Sequence, residues 1–342
     1  MGQATEPRTA SARRGGAPLS ASPDALPSDM AFSVLDLPAI IKQTVAEIGE
    51  DDVPSLSAAT AYYTIFALPP LLVIIVGVAG ALVGPETVQE ALTGQVDSLA
   101  GTAAAGEIET MIASASDLGD GLGKKLLGVV LLILGATGAF GQLQKALNRA
   151  WDVRVVDGGG IKGLVFKRLL SFGMVLTIAF LLLVSLALSA FLSAVGAGVS
   201  GILPGAIPPV VWQIVNTAIS FGVVALLFAT LFKVLPDAEI AWRDVWVGAG
   251  VTAALFTLGK WAIGFYLGTS NPGSAFGAAG SLALLLVWIY YSALIFLAGA
   301  EFTQVWAQRY GSRIVPEEGA VRVGDAVPEV HPLAKPRDPE PY

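Results

Sequence analysis

Residues 276–306 read FGAAGSLALLLVWIYYSALIFLAGAEFTQVW, and this run decides the fold. From Phe276 to Ala300 it holds no charged side chain. A helix rises about 1.5 Å per residue, so the run is long enough to cross the roughly 30 Å hydrocarbon core of a bilayer. Five further stretches read the same way, at 56–83, 126–147, 169–197, 210–234 and 245–267. The second of these is purely apolar only over 126–140 and then turns amphipathic through Gln142, Gln144 and Lys145. The expected fold is an all-α membrane protein, a six-transmembrane-helix bundle with amphipathic interfacial helices and disordered tails.

Composition supports a lipid solvent. Of 342 residues, 54% are apolar and 14% are charged, where a soluble domain carries about 25%. The missing charge has gone from long blocks. Cysteine is absent from the sequence, which removes disulfides and thiolate chemistry, and the single histidine, His331, stands in a proline-rich tail. A net charge of −7 argues against nucleic acid as a partner.

The organisation expected is a disordered arm at 1–34, an amphipathic interfacial helix at 35–53, a membrane domain at 54–312 and a disordered tail at 313–342. The arm has no apolar run, so it does not read as a secretory signal; its arginines leave an organelle transit peptide open. Ile40, Ile41, Val45 and Ile48 mark the interfacial helix. The acidic connection at 84–123 carries Val88, Leu92, Val96 and Leu99, then Ile108, Met111 and Ile112, at helical spacing. Its two helices lie on the outer surface or cap the bundle.

Orientation follows from the basic residues. If the six spans alternate, seventeen of the twenty lysines and arginines fall on one side. The opposite side has only Lys124 and Lys125, and Lys260 lies within a span. Both termini are therefore expected in the cytoplasm.

Four stretches resemble one family. They are AATAYYTIFALPPLL at 58–72, GQLQKALNRAWDVR at 141–154, LPDAEIAWRDVWVGAGVT at 235–252 and GAAGSLALLLVWIYYSALIFLAGAE at 277–301. Together they are similar to the YihY/BrkB family of bacterial inner-membrane proteins. The resemblance implies a six-span protein of the bacterial inner membrane, with ion exchange, lipid movement and resistance to host killing among the roles proposed for the family. The family's old label of tRNA-processing ribonuclease is rejected. There is no histidine-rich metal cluster, and an acidic chain without a basic groove holds RNA poorly.

Lys260 is the most informative residue, about 12 Å into the fifth span at ~1.5 Å per residue. An ionisable group inside a span is a functional candidate by default. Asn216, Thr217 and Ser220 count to a similar depth, and Tyr290 and Tyr291 lie near mid-depth in the sixth span. An ammonium among amides and hydroxyls suits an anion or a lipid phosphate; the alternative is that Lys260 snorkels outward. Glu301, near the inner end of the sixth span, is expected to form a structural ion pair with Arg149, Lys145 or Lys233, with proton or cation coupling as the sharper alternative. Pro69 and Pro70 predict a kink or break in the first span and are candidate gating residues.

No nucleotide loop, dinucleotide fingerprint or metal-ligand cluster is found, so no cofactor and no metal are expected. The function expected is a non-enzymatic transporter or exchanger of a small ion or lipid, not driven by ATP, with membrane lipids as its surroundings. The alternative is a scaffolding membrane protein that recruits a partner through its acidic outer loop.

Overall fold

The computed structural model describes residues 33–116, 122–156, 209–270, 279–312, 314–317 and 319–323, and these are mostly helical. The third expected span, 169–197, lies outside them. Ser33 opens the described chain as a helix cap. Its hydroxyl accepts from the Leu35 amide at 3.3 Å, while Asp36 accepts from the Ser33 amide at 3.3 Å, the reciprocal arrangement of a capping box. Among the described residues, eight helices follow a short 3-10 turn. They are α1 (Leu37–Glu50), α2 (Val53–Val83), α3 (Pro85–Ala100), α4 (Thr102–Ser116), α5 (Leu122–Ala150), α6 (Pro209–Val234), α7 (Trp242–Ser270) and α8 (Gly280–Tyr310).

Local chemistry sets several boundaries. Pro38, Pro54 and Pro85 stand in the first turns of α1, α2 and α3, where the missing amide had no partner to lose. Gly84 and Gly101 adopt φ of 95° and 86°, left-handed values that glycine takes without penalty, and so separate α2, α3 and α4. Within α2 the axis bends by 42° between Val53–Pro69 and Leu71–Ala81. The proline pair removes two amide donors at that point.

Helices α6, α7 and α8 are long and apolar enough to cross a membrane, and α2 makes a fourth if its two halves are one bent span. Helix α5 is continuous but carries Lys124 and Lys125 at its start and Gln142, Gln144, Lys145 and Arg149 towards its end. Large apolar side chains face outward on the spanning helices, among them Ile214, Leu258, Trp261 and Phe265. Such a surface is stable against hydrocarbon and not against water.

Two expectations need correction. The fold is not wholly helical: β1 (Val153–Val155) pairs antiparallel with β4 (Ala320–Arg322), and β2 (Ala238–Glu239) with β3 (Val315–Pro316). The disordered tail therefore does not begin at 313. The segment after α8 is zipped onto the connections that follow α5 and α6, which satisfies backbone groups on both sides, and Ile314 is buried beneath it.

Packing rests on small residues. Gly248 of α7 lies against Thr303 of α8, and Gly299 of α8 against Thr252 of α7. Each threonine hydroxyl donates to a carbonyl on its own helix, Thr252 to Gly248 at 2.7 Å and Thr303 to Gly299 at 2.6 Å. The result is a reciprocal pair of notches that admits close backbone approach. Gly135 and Gly138 of α5 similarly receive Ala67 and Tyr63 of α2. Helices α3 and α4 cap one end of the bundle, burying Val88, Ile108 and Ile112 against Leu72, Val76, Leu285 and Trp288. At the opposite end α1 docks on α8, with Ile40 fully buried against Phe302 and Val305 while Ile41 and Val45 face outward.

Candidate functional site at the α1 end of the bundle

Two chain reversals build the site. Asp52 joins α1 to α2 at φ 51°, and Asp152 follows α5 at φ 54°. Left-handed backbone costs a non-glycine residue about 1–2 kcal/mol, and Asp tolerates it better than most. The second reversal buries Trp151, whose ring meets Phe232 edge-on at 6.1 Å. It also sets the Asp152 carboxylate where Gln304 of α8 donates to it through Nε2 at 2.7 Å.

One turn before Gln304, Glu301 is 0% exposed. Neither of its carboxylate oxygens has a hydrogen-bond partner among the described residues, and the same holds for Gln304 Oε1 and Trp151 Nε1. The carboxylates of Glu47, Asp51 and Asp152 are close enough to act on Glu301 electrostatically, with Arg149 opposing them.

The expected ion pair of Glu301 is not what forms. Arg149 Nε donates instead to Asp51 Oδ1 at 2.8 Å, Lys233 Nζ donates to the Ile240 carbonyl at 2.8 Å, and Lys145 is exposed. The turn between α1 and α2 places Asp51 at the end of α5, so it takes the guanidinium, while Glu301 lies deeper. Burial raises the Asp51 carboxyl above its ordinary value, with Arg149 opposing the rise. Burial likewise raises Glu47, against a hydrogen bond from Gln43.

Asn148 is also committed to structure. It donates to Asp237 Oδ2 at 2.7 Å and accepts from the Asp237 amide at 2.9 Å, tying α5 to the turn after α6. Beside these groups opens a groove of about 810 Å³, bordered by Asp51, Ser55, Lys145, Arg149, Arg154 and Asp237.

The second expected site is not gathered. Lys260 is partly buried in α7, Tyr290 and Tyr291 are partly buried in α8, and Thr217 and Ser220 face outward from α6. The side chains of Asn216 and Pro70 lie outside what is described. Tyr291 rests against Gly259, adjacent to Lys260 in sequence, and no hydrogen bond joins Lys260 to the other candidates among the described residues. Between α6, α7 and α8 the interior is filled by Phe232, Phe296, Phe228, Phe256 and Trp288, each ring within 6 Å of the next.

Asp152 and Gln304 escaped the sequence reading. The signal was present: Gln304 stands three residues after Glu301, on the same helical face, and Asp152 follows the buried Trp151.

An α-helical bundle with apolar outer faces and a buried carboxylate within a crossing helix defines a polytopic membrane protein. Residues 44–322 match the family model described as Virulence factor BrkB, and the chain belongs to that family. It is 30% identical over 271 residues to a UPF0761 membrane protein of Ralstonia nicotianae, covering 79% of this chain and 59% of that one. It is 29% identical to a UPF0761 membrane protein of Verminephrobacter eiseniae, covering 76% and 60%, and 26% identical to one of Xanthomonas campestris, covering 73% and 56%. The chain thus spans about three-fifths of the length of these relatives. No solved structure matches it.

Proposed function

We propose that the protein is a non-enzymatic transporter or exchanger of a small ion or lipid, driven by an ion gradient or a partner and not by ATP. It works in the bacterial inner membrane, crossing six times with both termini in the cytoplasm. The observation that carries this reading is Lys260. It is partly buried within α7, beside Leu258, Trp261 and Phe265, which are all more than half exposed to the surroundings of the bundle. It has no ion pair among the described residues. A lysine within a span costs at least ~2.5 kcal/mol, and an ammonium at a lipid-facing surface suits a lipid phosphate or a small anion. The bend at Pro69 in α2 supports the reading, because broken helices line pathways in transporters.

The test is flux in liposomes holding the purified full chain, read with fluorescent phosphatidylglycerol and, separately, with chloride. Wild type moves one of the two and Lys260→Met slows it at least tenfold. If neither probe moves, or if Lys260→Met matches wild type in liposomes and fully rescues a deletion strain, transport through this site is wrong. Cysteines placed at Gly158 and Ser200 test the topology, with labelling from opposite faces of intact cells expected.

The scaffold reading is favoured by Glu90 and Glu109, which face outward from α3 and α4. Removing the whole segment would strip Val88, Ile108 and Ile112 from the core, so charge reversal at Glu90 and Glu109 is the cleaner test. Lost partner capture with unchanged flux would support it.

A further inference from the structure

The α1 end holds a group that Lys260 and the bend in α2 do not account for. Glu301 is fully enclosed, and so is Gln304 three residues on. Gln304 spends its amide nitrogen on Asp152, which leaves its carbonyl oxygen Oε1 without a donor. Two unsatisfied acceptor groups one turn apart in a buried place call for a positive charge. An ionised carboxylate there would be opposed by desolvation.

The surroundings make an ionised, empty Glu301 worse. Helix α1 presents Glu47, the turn after it presents Asp51, and the reversal after α5 presents Asp152; the opposing cation is Arg149 at the end of α5. Arg149 is already bonded to Asp51 and to the Glu50 carbonyl. Helix α2 offers Ser57 and Thr60, whose hydroxyls donate to the Val53 and Leu56 carbonyls of their own helix. Helix α7 turns Gly248 and Thr252 towards the neighbouring Thr303 and Gly299, and α4 meets α8 only near its far end, where Ser281 donates to Glu107. Lys145, one turn before Arg149 on α5, is exposed, and neither Glu301 oxygen has a hydrogen-bond partner among the described residues.

We propose that Glu301 and the Gln304 Oε1 form a buried site for one monovalent cation, a proton or an alkali metal ion. Among the described residues no three His, Cys, Asp or Glu side chains converge as metal ligands, so a single charge fits better than a divalent ion. Asp152 holds Gln304 in place and acts as a positioning residue. Binding makes the carboxylate electrically neutral; release leaves it facing three like charges, which favours rearrangement of α8 against α1 and α2. The site stands by itself, while its use as the coupling site of transport rests on the transport reading.

Infrared difference spectra of the full chain in lipid nanodiscs test the site, because they see a carboxylic acid whatever its access to reagents. The reading is wild type minus Glu301→Gln as pH is stepped from about 5 to 10, the range over which buried carboxyls are documented to titrate. We expect a protonated-carboxyl band, absent in Glu301→Gln, that titrates within this range, its protonated fraction falling about tenfold per pH unit above the midpoint. A band insensitive to NaCl and KCl identifies the ligand as the proton. A band that NaCl or KCl removes at constant pH identifies an exchanging alkali cation. Asp152→Asn removes a like charge and should move the midpoint to lower pH, which a purely structural role for Asp152 would not do. The proposal is overturned if no Glu301-dependent band appears at any pH with or without salt, or if the band persists unchanged throughout the range and in salt. Should the band titrate while wild-type liposomes move neither probe, the site survives and the transport reading fails. Flux that Glu301→Gln leaves with its full dependence on the pH or sodium gradient removes the coupling role alone.

Discussion

Helix α8 lives in two environments. From Ala300 to Val305 every side chain is buried, because α1, α2, α5 and α7 all pack around that part. Nearer α3 and α4, Leu282 and Leu286 are about two-fifths exposed and Val287 is half exposed. The two ionisable residues proposed to act in the membrane fall on opposite sides of this division. Lys260 can reach outward along its own alkyl chain and be solvated by headgroups. Glu301 cannot move its charge anywhere and has to be neutralised where it stands. The same type of oddity, a charge in a span, therefore has two different physical solutions in one bundle.

The strongest way to break this contrast is to overfill the packed end. A Cβ at Gly299 would run into Thr252, which is itself fully buried. Gly299→Val should cost about 1–3 kcal/mol or prevent folding, as read by denaturant titration in detergent. Gly250→Ala on the neighbouring helix, where an added Cβ meets nothing within 4 Å, should leave the midpoint unchanged or raise it. Equal losses from both variants would show that the notches do not hold α7 to α8.

Next in size is the response to removing each charge. Glu301→Gln and Lys260→Met should both fold, with stability at or above wild type at neutral pH, since each removes an ionisable group from within a span, Glu301 fully buried and Lys260 partly so. A loss of several kcal/mol in Glu301→Gln that NaCl and KCl do not alter would mean that a cation of the protein does pair with it. Straightening α2 is a smaller change: with Pro69→Ala and Pro70→Ala together, spin labels on the two halves should report a bend below the 42° observed. An unchanged bend would place its cause in packing against α5.

The smallest effect is expected at the rim. The Arg149 side chain is 54% exposed, so Arg149→Ala should cost less than about 1 kcal/mol at neutral pH. Asp51 has its carboxyl raised by burial and lowered by Arg149; the net rise means this group contributes stability below the ordinary carboxylate range and loses it as pH rises through the raised value. Removing Arg149 raises that value further. The penalty of Arg149→Ala should therefore shrink as pH falls and vanish once Asp51 is protonated in both proteins, which thermal unfolding at a series of pH values will show.

Most of the helical organisation was legible in the sequence because lipid solvent leaves long, unambiguous signals. The runs at 210–234 and 245–267 became α6 and α7 with small shifts, and the Val88 and Ile108 series became α3 and α4. The strands were not legible. Val315–Pro316 and Ala320–Arg322 are too short to show a period, and they are extended only because other connections offer them backbone partners. The site was half legible: Glu301 stands out in an apolar run, yet its surroundings depend on where four separate segments meet.

By itself the sequence determined that this chain belongs in a bilayer and, to within a few residues, where its described helices run and where α2 bends, since apolar length, proline and glycine act locally. Only the tertiary structure decided which charges find each other. It gave Arg149 to Asp51, fastened Asn148 to Asp237, filled the space between α6, α7 and α8 with aromatic rings, and left Glu301 enclosed. Burial and pairing are properties of distances between segments remote in sequence, and no local pattern encodes them.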